Sequence, residues 1–274
     1  MKTDIALAAG LLSDASRVAE LDIRERQRIL ETMSSPVRVD IDGSELRCYV
    51  HSVTEDARVR KFKEPWTIEW LRNLPASSVL YDVGANIGIT SLIAAEDGHR
   101  RIRVVAIEPA PANFASLVKN VSLNGLGDRV YALPIGVGES TGVAELHLST
   151  FEPGGALHAF GEFMFRKPGR ETRSQGVHHC LRVRLDDLVR WDGLPFPTHI
   201  KIDVDGSELD VLAGAHGVFS DIRCLGAQIE VVDRDAQAEQ SRHVLAFMSA
   251  ANFVLVGRHV HRFPGVTDYQ FGRP

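Results

Sequence analysis

The sequence predicts a doubly wound α/β fold built on a mostly parallel sheet, and three observations lead there. From Trp66 onward, short β-branched runs recur at Ser78 to Val83, Arg103 to Ile107, Val130 to Leu133, His199 to Ile202 and Leu225 to Val231. Stretches of helical period separate them, among them Gly88 to Glu96 and Phe114 to Asn124. That βαβα order gives parallel strands with helices on both faces. Finally, a glycine-bearing turn follows the first run and acidic residues close later ones, at the strand ends where open α/β sheets bind ligands.

Length divides the chain into a main domain and an extension. Its 274 residues exceed one average domain, the prior being roughly 150 residues each. Residues 1 to 35 space Val18, Leu21, Ile29, Leu30 and Met33 helically among charges. Val37, Val39 and Ile41 then alternate with polar residues, Asp42-Gly43 supplies a turn, and Leu46, Cys48 and Val50 resume the alternation, a β-hairpin pattern. Residues 1–62 are therefore read as an N-terminal helical segment plus hairpin, and 63–274 as the main domain. Within the latter, residues 151 to 179 break the alternation with Pro153-Gly154-Gly155, Pro168-Gly169 and several aromatics, as an irregular insertion serving as a lid or binding loop would. A helix from about Ala236 to Ala250 precedes two strands, Phe253 to His259 and Thr267 to Phe271, joined by Pro264-Gly265 as a terminal antiparallel pair.

Composition removes several function classes. With 44% apolar and 24% charged residues the chain is ordinary globular material. Its net charge of -5 argues against binding nucleic acid by neutralising phosphates. Cys48, Cys180 and Cys224 are odd in number and widely spaced, as in reduced thiols of a cytoplasmic protein. The apolar run Ile5 to Leu12 is too short and too acidic in its flanks for a signal peptide, and no membrane-spanning run occurs.

Three motifs carry the chemistry. In Tyr81-Asp82-Val83-Gly84-Ala85-Asn86-Ile87-Gly88 a strand runs through a glycine turn into a helix, exposing backbone N–H groups to a ligand. A dinucleotide site wants glycine where Asn86 stands, so a cofactor without a pyrophosphate fits better. Glu108 ends the second strand, 26 residues beyond Asp82, where a carboxylate accepts hydrogen bonds from ribose hydroxyls. Ile200-Lys201-Ile202-Asp203-Val204-Asp205-Gly206-Ser207-Glu208 delivers two acids to a strand end, with Asp205 and Glu208 also spaced for a capping box.

These motifs, with Ile107-Glu108-Pro109 and Val183-Arg184-Leu185-Asp186-Asp187-Leu188 in order between them, resemble the FkbM family of S-adenosylmethionine-dependent methyltransferases over roughly residues 60 to 272. The family usually has glutamate at position 205 and often threonine at 184. The resemblance implies a class I, Rossmann-like methyltransferase fold and methylation of a hydroxyl on a sugar, glycolipid or polyketide-type acceptor. It implies that Asp82, Gly84, Asn86, Gly88, Glu108, Pro109 and Gly136 serve the cofactor, and that Glu64, which opens a helix at Pro65, approaches its amino group.

Methyl transfer needs an aligned nucleophile and a proton acceptor. The candidates are Asp203, Asp205, Glu230 and the loop histidine His158, with His178 and His179 behind them. Asp203, Asp205 and Glu230 could alternatively share Mg²⁺, but a metal-free reaction is the favoured expectation. A catalytically inactive cofactor-binding scaffold is the alternative reading. A nicotinamide-dependent oxidoreductase is disfavoured by Asn86 and by the lack of a Tyr-x-x-x-Lys pair. The expected partner is a small-molecule or glycoconjugate acceptor, and the sequence carries no signal of oligomeric state.

Overall fold

The computed structural model describes residues 21–60, 64–161, 166, 167, 170, 171, 174–233 and 238–274. The helical pattern expected over residues 1 to 20 lies outside them, as does part of the 151 to 179 insertion. The described residues begin with α1 (Ile23–Met33), the hairpin β1 (Val37–Ile41) and β2 (Ser44–Cys48), α2 (Val53–Arg60) and α3 (Pro65–Arg72). The alternating part follows as β3 (Val79–Val83), α4 (Ile89–Glu96), β4 (Arg103–Ile107), α5 (Pro111–Leu123) and β5 (Val130–Leu133). Next come β6 (Gly136–Val137), β7 (Gly142–Leu148), β8 (Ala159–Phe160), β9 (Arg166–Lys167), β10 (Arg170–Glu171) and β11 (Gly176–Val183). The last third holds α6 (Leu185–Leu188), β12 (His199–Ile202), α7 (Glu208–Ala213), α8 (His216–Ser220), β13 (Gly226–Val232), α9 (Glu239–Ala250), β14 (Val254–Val260) and β15 (Val266–Gly272).

Seven strands form the main sheet in the order β14-β15-β13-β12-β3-β4-β5. The five from β13 to β5 are parallel, and β15 runs antiparallel to both β13 and β14. The terminal hairpin is thus inserted with its second strand innermost, so β14 points the same way as the parallel strands. This is the doubly wound, mostly parallel, Rossmann-like sheet with a terminal antiparallel pair that the sequence predicts. Chain direction across the sheet reverses between β3 and β12, which makes the carboxyl ends of those two strands the switch point where a ligand crevice opens.

Covering on both faces explains why the central strands read as unbroken apolar runs. All five residues of β3 and all four of β12 are buried. Alternation divides them: Tyr81, Val83, Ile200 and Ile202 pack with Val211, Phe219, Val244 and Met248, whereas Leu80, Val104 and Ala106 pack with Leu92, Ile93 and Leu117 on the other face. The second cluster also takes in Ile41, Leu46 and Cys48 of the hairpin and Val59 of α2. The extension therefore shares its core with the main sheet.

A second sheet, ordered β6-β11-β7-β8, corrects the reading of residues 176 to 179 as part of an irregular insertion. They begin β11, which pairs antiparallel with β7 from Gly176 opposite Leu148 to Arg182 opposite Gly142. The local pattern conceals this strand because its apolar Val177 and Leu181 face outward while Cys180 and Val183 are the buried positions. The cysteines are free and buried. Among the described residues no helix is long and apolar enough to cross a membrane.

Helix α2 is held by a capping box. Ser52 Oγ accepts from Glu55 N at 2.9 Å, and Glu55 Oε2 accepts from Ser52 N at 3.1 Å and His51 N at 2.7 Å. The other carboxyl oxygen, fully buried, accepts from Ser116 Oγ of α5 at 2.7 Å. Replacing Glu55 by Ala strands these donors and should cost ~3 kcal/mol of unfolding free energy, since each hydrogen bond to a charged group contributes ~1.5 to 3 kcal/mol. Urea denaturation checks this, and a loss below ~0.5 kcal/mol would contradict the clamp.

Candidate active site

The turn after β3 requires backbone that few residues adopt. Gly84 has φ of 86°, and a Cβ there would lie 1.9 Å from the Asp203 carbonyl oxygen. Asn86 takes φ of 51°, the left-handed conformation its short amide side chain tolerates. Its Oδ1 accepts from Ile87 N at 2.9 Å, and its own N–H donates to Glu108 Oε2 at 2.9 Å. The first and second strand ends are thereby joined through one carboxyl group. Glu108 Oε1 also accepts from Ala110 N at 2.9 Å. Burial pushes the Glu108 pKa up to about 7 in spite of these donors.

Glu108 lies in a cleft whose walls include Pro109, Asn113, Ile135, Gly136, Val137, Phe160 and Asp205. Gly136 is needed there because a Cβ would sit 2.2 Å from the Phe160 ring. Part of the insertion straps this cleft. Gly155 O accepts from Asn86 Nδ2 at 2.7 Å and Asn113 Nδ2 at 3.0 Å, while Leu157 N donates to Asp205 Oδ2 at 2.7 Å. Asp205 is therefore not a helix cap, as its spacing suggested: Ser207 takes the cap position of α7 without a side-chain bond, and Glu208 Oε1 accepts from Gly206 N at 2.7 Å. Burial and the neighbouring Asp203 push Asp205 up to about 6.

Two residues assigned to the cofactor by sequence stand beneath the cleft and do not line it. Asp82 is buried, and its Oδ2 accepts from Ser91 Oγ at 2.6 Å at the start of α4. Gly88, with φ of 90°, lets α4 approach α5, since a Cβ would meet Leu117 Cδ1 at 2.4 Å. His158 does line the cleft, but its Nδ1 accepts from Ser149 N at 3.2 Å. Burial, helped by Arg58, lowers its pKa to about 4. His178 and His179 lie on β11 and line neither this cleft nor the next.

A second cleft adjoins the first and shares Arg58, Gly84, Asn86 and Asp203 with it, adding Glu64, Trp66, Lys201 and His261. Lys201, almost wholly buried, donates from Nζ to Asp203 Oδ2 at 2.6 Å. Burial works against the charge of both, yet each stabilises the other: the Asp203 pKa is lowered and that of Lys201 raised. On the next strands Glu230 stands directly opposite Asp268, a like-charge pair that is unfavourable by itself. His261 relieves it. Its Nε2 lies 2.7 Å from Asp268 Oδ2 and 3.5 Å from Glu230 Oε2. Trp66 Nε1 donates to Asp268 Oδ2 at 2.6 Å, fixing the acid from behind. Burial pulls the His261 pKa down, but the Asp268 hydrogen bond and charge outweigh it and leave the pKa raised. Glu230 is raised well above the carboxylate range by burial and by Asp203 and Asp268, and Glu64 is raised chiefly by burial.

The predicted catalytic residues are thus divided between two places. Asp203 lines both clefts, Glu230 stands behind the second against His261, and Asp205 and His158 belong to the first. Nor do Asp203, Asp205 and Glu230 form the metal group considered from sequence. Among the described residues the group so spaced is Glu230, His261 and Asp268, with ligand atoms within 4.8 Å of one another. Lys201, His261, Asp268, Trp66 and Arg58 escaped the sequence reading. Only Lys201 had a local signal, as a charge inside an apolar strand.

The family model for the methyltransferase FkbM domain matches residues 82–255, well over half the chain, and takes in the ends of β3, β4, β12 and β13. The chain belongs to the FkbM methyltransferase family. Among the curated proteins it resembles, methyltransferase sdnD of Sordaria araneosa is 31% identical over 53% of this chain and 62% of its own length. Hexuronic acid methyltransferase AglP of Haloferax volcanii is 27% identical over 71% of this chain and 74% of its own. The 31-O-demethyl-FK506 methyltransferase FkbM of Streptomyces tacrolimicus is 29% identical over 72% of this chain and 80% of its own. The chain thus spans about three fifths of the first relative's length and more of the other two.

Proposed function

We propose that this chain transfers the methyl group of S-adenosylmethionine to a hydroxyl of a sugar, glycolipid or polyketide-type acceptor. The observation that carries the reading is the pairing of two adjoining clefts at the switch point, one built around a buried carboxyl and one around a charged proton-handling group. The first cleft fits the nucleoside. Glu108 offers an acceptor for ribose hydroxyls, and Ile135, Val137 and Phe160 offer apolar walls to a flat base. When bound, the cofactor supplies a methyl group activated on a sulfonium. The names of the Haloferax and Streptomyces relatives, a hexuronic acid methyltransferase and a demethyl-FK506 methyltransferase, support a sugar or polyketide acceptor.

In the second cleft the chain's own residues orient the acceptor and take its proton. Asp203, kept ionised by Lys201, accepts a hydrogen bond from the acceptor hydroxyl. His261 receives the proton at Nδ1, which has no hydrogen-bond partner among the described residues, while Asp268 holds Nε2–H in place. Asp268, at 2.7 Å from Nε2, stabilises the imidazolium so formed. Lys201 already provides buried positive charge here, so no divalent ion is required. Turnover should survive EDTA, and loss of activity that Mg²⁺ restores would overturn the metal-free route.

The raised Glu108 pKa makes the ribose assignment testable by pH. Ribose hydroxyls donate to the carboxylate, so binding should lower the Glu108 pKa from about 7 and release a proton. Affinity for S-adenosylhomocysteine should then be full above pH ~7 and weaken toward tenfold per pH unit below it. Glu108→Gln should bind more weakly by ~1 to 3 kcal/mol and lose this dependence. Asp205 remains in the variant and titrates about 6, a unit lower. Calorimetry at pH 6 and 8 distinguishes the two proteins, and an unchanged pH slope in the variant would refute the assignment.

A further inference from the structure

We infer that Arg58, carried by the N-terminal extension, binds the carboxylate of the cofactor's amino-acid end. The inference rests on the S-adenosylmethionine reading above and gives the extension a role in it. Arg58 is one of four residues common to both clefts, the others being Gly84, Asn86 and Asp203. It therefore stands where the clefts meet. If Glu108 takes the ribose in the first cleft and the acceptor enters the second, the cofactor's sulfur lies at that junction and its amino-acid chain starts beside Arg58.

The Arg58 guanidinium is anchored at Nε and left open at its two terminal nitrogens. Nε donates to Gly154 O at 3.3 Å, and among the described residues its terminal nitrogens make no hydrogen bond and no ion pair. Arg60, two residues on, shows the contrast, since its Nε lies 2.6 Å from Asp56 Oδ1. Placement is rigid. Helix α2 is fixed by the Ser52–Glu55 capping box and by Val59 in the core, and Glu55 ties it to Ser116 on the helix that follows Glu108. An open guanidinium in a fixed position suits a carboxylate, whose two oxygens it can meet side by side. Glu64 lines the adjoining second cleft and offers a hydrogen-bond acceptor to the amino group of the same zwitterion.

A purely structural role would be different: Arg58 would offset the charges of Asp203 and Asp205, both of which its charge favours. Two ligands separate the roles. S-Adenosylhomocysteine carries the amino acid, and 5′-methylthioadenosine keeps the nucleoside and thioether without it. Calorimetry on the full chain should show Arg58→Gln weakening S-adenosylhomocysteine roughly tenfold to hundredfold, with methylthioadenosine changed less than about threefold. Arg58→Lys, which keeps the charge but not the fork, should recover part of the loss. Equal losses for both ligands, or no loss for either, would overturn the inference. A wild-type protein that binds neither ligand would overturn the cofactor reading itself, and this inference with it.

Discussion

At the switch point of the sheet, the backbone of Gly84 is wedged between two strand ends. Its N–H and that of Ala85 both donate to Ile107 O at 3.0 Å, while a Cβ would press to 1.9 Å on the Asp203 carbonyl. The arrangement of both clefts follows from this contact. It brings the Asn86 N–H onto Glu108 on one side and sets Asp203, with Lys201, on the other. A residue with a side chain would have to separate β3 from β12, and the clefts that share Gly84 would lose their common wall. The constraint is steric and conformational together, which is why glycine at positive φ is the residue that meets it.

Charge is the second organising feature. Glu64, Asp203, Glu230 and Asp268 converge at the second cleft with Lys201 and His261 among them. Burying so many acids is unfavourable unless each is paired or protonated. Lys201 settles Asp203, and His261 settles Asp268, so Glu230 and Glu64 keep raised pKa values. Both acids therefore hold a proton more tightly than a free carboxyl does, as buried acids beside other acids must. The first cleft differs in kind: Glu108 and Asp205 are held by backbone N–H groups and by the Gly155 strap, an environment that fixes a ligand.

Much of this was legible in the sequence because the central strands are covered on both faces and read as apolar runs. The glycine turn, Glu108 and the Asp203 strand end follow one another in readable order. β11 was hidden because Val177 and Leu181 face outward, inverting the expected alternation. The Ser52-Val53-Thr54-Glu55 capping box was visible in principle, but α2 buries so little apolar surface that no periodicity marks it. His261 and Asp268 could not be read locally at all. The hairpin between β14 and β15 brings them together, and Trp66 joins Asp268 across 202 residues of chain. A dyad assembled by sheet register leaves no local pattern.

On the proposed function, Glu108 anchors the cofactor's ribose beside the Gly84 turn. A crystal structure of the chain with S-adenosylhomocysteine tests it most directly. The account predicts both ribose hydroxyls within hydrogen-bond distance of the Glu108 carboxylate, ~2.5 to 3.0 Å, and the thioether sulfur at the junction of the two clefts. A ribose bound elsewhere, with Glu108 still occupied only by Asn86, Ala110 and Asn113, would contradict it.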